Sequence, residues 1–93
     1  MEIKDNELLR QFENQTENGL LTVEYSLQER KLFLTKLNHT EKEDPETIDA
    51  FLKAIMNNAE EKRLRVVPTH PKIASFFRKN PVYKELLPPG IKI

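Results

Sequence analysis

The chain contains no cysteine, which excludes disulfide staples, a thiolate nucleophile and thiolate metal sites. It has no apolar run near the ~18 residues that would suggest a membrane span. Its first residues, Met1-Glu2-Ile3-Lys4-Asp5-Asn6-Glu7, are too polar to resemble a signal peptide. A soluble, cytoplasmic protein without a membrane partner is the expectation. Net charge is also lacking: fifteen Lys/Arg balance fifteen Asp/Glu. No compact Lys/Arg stripe with interleaved aromatics occurs, so a nucleic-acid partner is not expected either. No repeat, low-complexity tract or linker divides the sequence. The expectation is one domain over residues 1–93, with its core at about residues 8–87.

What is present points to a globular protein. Hydrophobic residues make up 38% and charged residues 32%, a balance that distinguishes the chain from a disordered one. A chain of 93 residues buries only ~60–65% of its unfolded surface, so the core is small. The charge is unevenly placed. Residues 1–50 carry six Lys/Arg against twelve Asp/Glu, and residues 51–93 carry nine against three. Attraction between the halves of one domain accounts for this asymmetry, and an anionic ligand on the basic half is the sharper alternative.

Three strands are predicted in the first half. The first lies near Leu9–Glu13, followed by turn chemistry over Asn14-Gln15-Thr16-Glu17-Asn18-Gly19. Leu21, Val23, Tyr25 and Leu27 then alternate with polar residues, the period of a strand with one wet face. After a hairpin turn at Gln28–Lys31, Leu32-Phe33-Leu34-Thr35-Lys36-Leu37 lacks clean alternation. That pattern predicts a more central strand buried on both faces.

Asp44-Pro45-Glu46-Thr47 starts a helix, with Asp as N-cap and Pro at the first helical position. Ile48, Phe51, Leu52, Ile55 and Ala59 form its apolar stripe. A fourth strand follows over Leu64–Pro68. A shorter helix begins at Pro71 and packs Ile73, Phe76 and Phe77. One more turn opens at Asn80-Pro81 and packs Tyr83, Leu86 and Leu87, and Pro88-Pro89-Gly90 stops it. The predicted order is β-β-β-α-β-α with a short helical tail, an α+β fold with a mixed sheet. The helix between the last two strands implies a parallel pair and a right-handed crossover. Both histidines, His39 and His70, then fall at one carboxyl edge of the sheet, beside the start of the main helix. Ligands of α/β sheets bind at such edges, and a helix N-terminus there attracts anions.

Leu37-Asn38-His39-Thr40-Glu41 and the stretch from Val66-Val67-Pro68-Thr69-His70-Pro71 through Phe76 to Asn80-Pro81-Val82-Tyr83 resemble motifs of the minimal, single-domain GNAT-like N-acetyltransferases. The resemblance covers about Phe12 to Leu87. It implies a small GNAT-like sheet splayed around acetyl-CoA as cosubstrate and an acetyl group passed to an amine. The acceptor would be a small molecule or a protein, and the chain a monomer or weak dimer. It also implies catalytic roles for His70 or His39 as base and for Tyr83 as donor to a leaving thiolate. Leu37, Asn38, Thr47, Ile48 and Asp49 would be the cofactor-binding positions.

Two departures set a rival expectation. The family's Gly-rich pyrophosphate loop is missing, since Glu41 to Ala50 holds no glycine and is densely acidic. His70 stands where the family keeps a cysteine. The rival is a GNAT-fold binding or interaction module that no longer binds CoA. The bland roles remain open beside the catalytic ones: His39 closing a strand end, His70 capping a helix, Tyr83 packing. Two histidines near Glu41, Glu43 and Asp44 lack a third ligand at fixed spacing, so no metal site is expected. Ser75 has no base at a telling spacing.

Overall fold

A computed structural model describes all residues, Met1–Ile93. Five strands form one sheet in sequence order: β1 (Lys4–Asn6), β2 (Gln11–Thr16), β3 (Gly19–Gln28), β4 (Lys31–Asn38) and β5 (Arg65–Pro68). The first four pair antiparallel, and β5 joins β4 in parallel. Between those two runs α1 (Pro45–Glu61), while α2 (Pro71–Lys79) and a 3-10 helix (Pro81–Leu86) follow β5. The mixed α+β architecture expected from the sequence is the one observed.

Two expectations need correction at the N-terminal end. A short strand, β1, precedes the predicted first one and pairs Asp5 with Phe12. Its polar residues carry no period-2 apolar signal. The predicted strand at Leu9–Glu13 begins instead at Gln11, because Leu9 lies in the turn and Arg10 takes a positive φ of 54°. The strand also runs through Thr16, which leaves only Glu17 and Asn18 as the turn.

The third correction concerns β4. Its Leu32, Leu34 and Leu37 are buried, whereas Thr35 and Lys36 are exposed. The strand is interior in the pairing order but dry on one face only. A β-bulge breaks the alternation: Tyr25 pairs with Leu34 and Glu24 with Lys36, leaving Thr35 without a partner. The extra residue returns Leu37 to the face of Leu34.

That face carries Leu21, Val23, Leu32, Leu34 and Val66, and it shares one core with Phe51, Ile55, Met56 and Ala59 of α1. Ile73, Phe76 and Phe77 of α2 join it, as do Leu86 and Leu87 at the end of the 3-10 helix. Asp44 caps α1 by accepting from the Glu46 N–H, as the Asp-Pro signature predicts.

Candidate functional site between β4 and the two helices

β4 and β5 run together only as far as Leu34 and Pro68. The Thr69 N–H and hydroxyl both reach the Leu34 carbonyl, at 3.0 and 3.2 Å, and close the apex. Beyond it β4 continues to Asn38, whereas the segment after β5 turns away at His70 into α2. The space that opens is a cleft of ≈ 380 Å³ between the end of β4, the first turns of α1 and the outer face of α2.

Leu37, His39, Ile48 and Asp49 line this cleft. The remaining candidates lie elsewhere. The Asn38 amide turns to the opposite side of the sheet and donates to Thr22 Oγ1 and Glu24 Oε2 at 3.0 and 2.9 Å. Thr47, His70 and Tyr83 are not in the lining. Tyr83 packs half-buried against Phe76, with ring centroids 5.6 Å apart. The cleft's third wall went unread in the sequence: Lys72, Ser75 and Lys79 of α2. Their spacing of three and four residues is a helical face, adjacent to the apolar stripe that was read. The cleft thus has a cationic side, Lys72 and Lys79, and an anionic side, Glu43 and Asp49.

The hydrogen bonds of the two histidines call for different tautomers of the neutral ring. His39 Nδ1 lies 2.7 Å from its neighbour's carbonyl, Thr40 O, and a carbonyl only accepts, so Nδ1 holds the proton. In the neutral ring Nε2 is then left with the free lone pair. His70 is reversed. Its Nδ1 accepts from the Lys72 N–H at 3.2 Å, capping α2, so the neutral ring's proton sits on Nε2. Of the two, only His39 offers a basic nitrogen without giving up a structural hydrogen bond.

The entrance to α1 is closed to an anion by its own chain. Pro45 has no N–H. The Glu46 N–H is taken by Asp44 Oδ1 at 2.9 Å, and the Thr47 and Ile48 N–H groups by the Asp44 carbonyl at 3.0 and 3.1 Å. Each donor that a pyrophosphate would need at this helix N-terminus is therefore engaged. The surrounding carboxylates, Glu41, Glu43, Asp44 and Glu46, oppose the negative charge. The loop is also latched to the β2–β3 hairpin. Thr16 Oγ1 donates to Glu43 Oε2 at 2.6 Å, and Thr40 Oγ1 donates to the Asn18 carbonyl at 2.9 Å. Gly19, at φ 128°, lets the hairpin approach: a Cβ there would stand 2.9 Å from Thr40 Cγ2. The residues present do not fit the pyrophosphate of CoA.

No protein-family model and no curated protein matches the sequence significantly. Among solved structures, the chain resembles the solution structure of a Staphylococcus aureus protein described as a "GCN5-like putative N-acetyltransferase". The TM-score is 0.73 at 18% identity, over 98% of this chain and 90% of that one. With the β4–β5 opening and the single crossover helix, that likeness gives this chain a GNAT-like α+β fold.

Proposed function

We propose that the chain is a GNAT-fold binding module that does not take acetyl-CoA. The observation that carries this reading is the closed α1 entrance, where Asp44 and Pro45 leave no backbone donor free for a pyrophosphate. The adjoining cleft, with Lys72 and Lys79 facing Glu43 and Asp49, remains open for a different ligand or a partner's side chains. A fold does not carry an activity by itself.

One observation favours a second reading, N-acetyl transfer to an unidentified amine. His39 Nε2 is unengaged beside the cleft, where it could take a proton from an acceptor amine. Thermal unfolding with and without millimolar acetyl-CoA separates the two. A ligand at 100 times its Kd adds ~2.7 kcal/mol, which raises Tm by about 10 °C or more in a domain of this size. No shift is expected. A shift of that order, together with acetyl transfer lost in His39→Gln, would establish the second reading and overturn the first.

A further inference from the structure

A second cavity lies at the other end of α1, ~25 Å along the helix from the closed entrance. It measures ≈ 370 Å³ and is walled by the β1–β2 turn, the end of β3 and the last turns of α1. That size falls within the range of small-molecule sites, ~300–1,000 Å³.

Its floor is apolar: Phe12 and Leu32, 2% and 1% exposed, with half-buried Leu64 beside them. Tyr25 lies over Phe12, ring centroids 4.8 Å apart. The rim carries charges of both signs, Asp5 and Glu7 against Arg10 and Lys62. Asp5 accepts from the Tyr25 hydroxyl at 2.6 Å. Lys62 Nζ stands 3.8 Å from the other Asp5 oxygen, the one ion pair in the protein and too long for a hydrogen bond. A carboxylate has about four acceptor sites, so Asp5 keeps capacity. The side chains of Glu7 and Arg10 make no ion pair, and no hydrogen bond of theirs occurs within the chain. Arg10 is placed by its backbone, at φ 54°, with its carbonyl accepting from the Tyr25 N–H at 2.9 Å.

The geometry points to a binding site for a zwitterionic ligand with an apolar side chain, an apolar α-amino acid. Its ammonium would face Asp5 and Glu7, its carboxylate Arg10 and Lys62, and its side chain would cover exposed Leu27 and half-buried Leu64 above the Phe12–Leu32 floor. A ligand with one charge can pair only with the two rim groups of opposite sign, whereas a zwitterion can use all four. The site shares no lining residue with the cleft beside His39. Its test does not depend on how that cleft is used.

Titration of the isotope-labelled protein with L-phenylalanine and L-leucine, followed by amide NMR, tests the site. Saturable shifts confined to amides around Tyr25, Leu27, Asn58 and Leu64 are expected. Phenethylamine and 3-phenylpropionate, each lacking one charge, should bind about tenfold or more weaker than phenylalanine. Glu7→Gln and Arg10→Asn should each weaken phenylalanine by a similar factor. Both positions are exposed, and Asn tolerates the positive φ at residue 10. The analogue comparison needs no variant, so it stands if either variant folds poorly. Absence of saturable shifts at these amides overturns the site. So does equal binding of a one-charge analogue, or unchanged affinity in both folded variants.

Discussion

The Thr16 hydroxyl and the Glu43 carboxylate, 27 residues apart in sequence, meet at 2.6 Å and tie the loop after β4 to the β2–β3 hairpin. Glu43 is only 7% exposed, so it depends on that donor. The hydroxyl has one proton, and the Gly19 carbonyl at 3.1 Å competes for it less well than the charged oxygen does. Hydrogen bonds to charged groups contribute about 1.5–3 kcal/mol. Thr16→Val and Glu43→Ala should therefore each destabilise the fold. In a double-mutant cycle read by urea unfolding they should couple by about 1 kcal/mol or more. Additive effects would show that the latch contributes nothing of its own.

His70 has a structural task that is separable from any chemistry. Its Nδ1 accepts from the Lys72 N–H and satisfies one of the orphan donors of α2. His70→Ala removes this cap and should cost about 1 kcal/mol. His70→Asp or His70→Asn places an oxygen acceptor at the same position and should restore that stability, or exceed it. Equal loss in all three variants would mean that the ring matters through contacts other than the cap. Urea midpoints of the three proteins decide between these outcomes.

Tyr25 makes the fold sensitive to alkaline pH. Partial burial first, and then the hydrogen bond and charge of Asp5, raise its phenol well above the usual value. The unfolded chain gives up this proton near pH ~10, while the folded protein still holds it. The contribution is therefore complete below pH ~10 and declines as pH rises through the folded value. Urea midpoints should fall from about pH 10 upward, and Tyr25→Phe should flatten that fall. At pH 7 the same variant should cost about 1 kcal/mol through loss of the bond to Asp5. An identical alkaline slope in both proteins would assign the effect to other groups. At the acid end, Glu13 is held below its ordinary value by donors from Gln11 and then Asn6. Its contribution runs the other way and is lost as pH falls through the folded value.

Sequence patterns made the helices and the parallel β4–β5 pair legible, because local signals and burial agreed there. Asp44-Pro45 and His70-Pro71 both mark N-caps, and the apolar stripes that follow them meet in one core. β1 was illegible because its pairing with β2 rests on backbone bonds and carries no apolar period. The cleft was half legible. Leu37, His39, Ile48 and Asp49 lie along it, but Lys72, Ser75 and Lys79 belong to a helix whose inner face drew the reading. The rim of the second cavity joins residues from positions 5 to 62, a juxtaposition that only the folded sheet creates. The closed α1 entrance had a sequence signal in the missing glycines. Only the structure adds that Asp44 engages the donors with its own side chain and carbonyl.

The bulge at Thr35 makes a prediction that a strand buried on both faces would not. Thr35 has no register partner on β3, so deleting it gives up only its hydroxyl's bond to the Glu24 carbonyl at 3.2 Å and leaves the pairs on either side, Tyr25 with Leu34 and Glu24 with Lys36, in register. Leu34, Lys36 and Leu37 would then alternate regularly, with both leucines still facing the core. The shortened chain should fold cooperatively, and its loss of stability should be modest. Deleting Phe33 has no such refuge. Either Leu32 or the Leu34 side of the strand must slip by one residue, and a one-residue slip turns buried leucines to solvent. Each leucine lost from the core costs about 2–5 kcal/mol, enough to abolish folding in a domain this small. Urea unfolding by circular dichroism should therefore show a transition for the Thr35 deletion and none for the Phe33 deletion. Two equally damaged proteins would show that β4 does not close up across the missing Thr35. They would also remove the bulge as the reason Leu37 shares a face with Leu34 at the edge of the cleft.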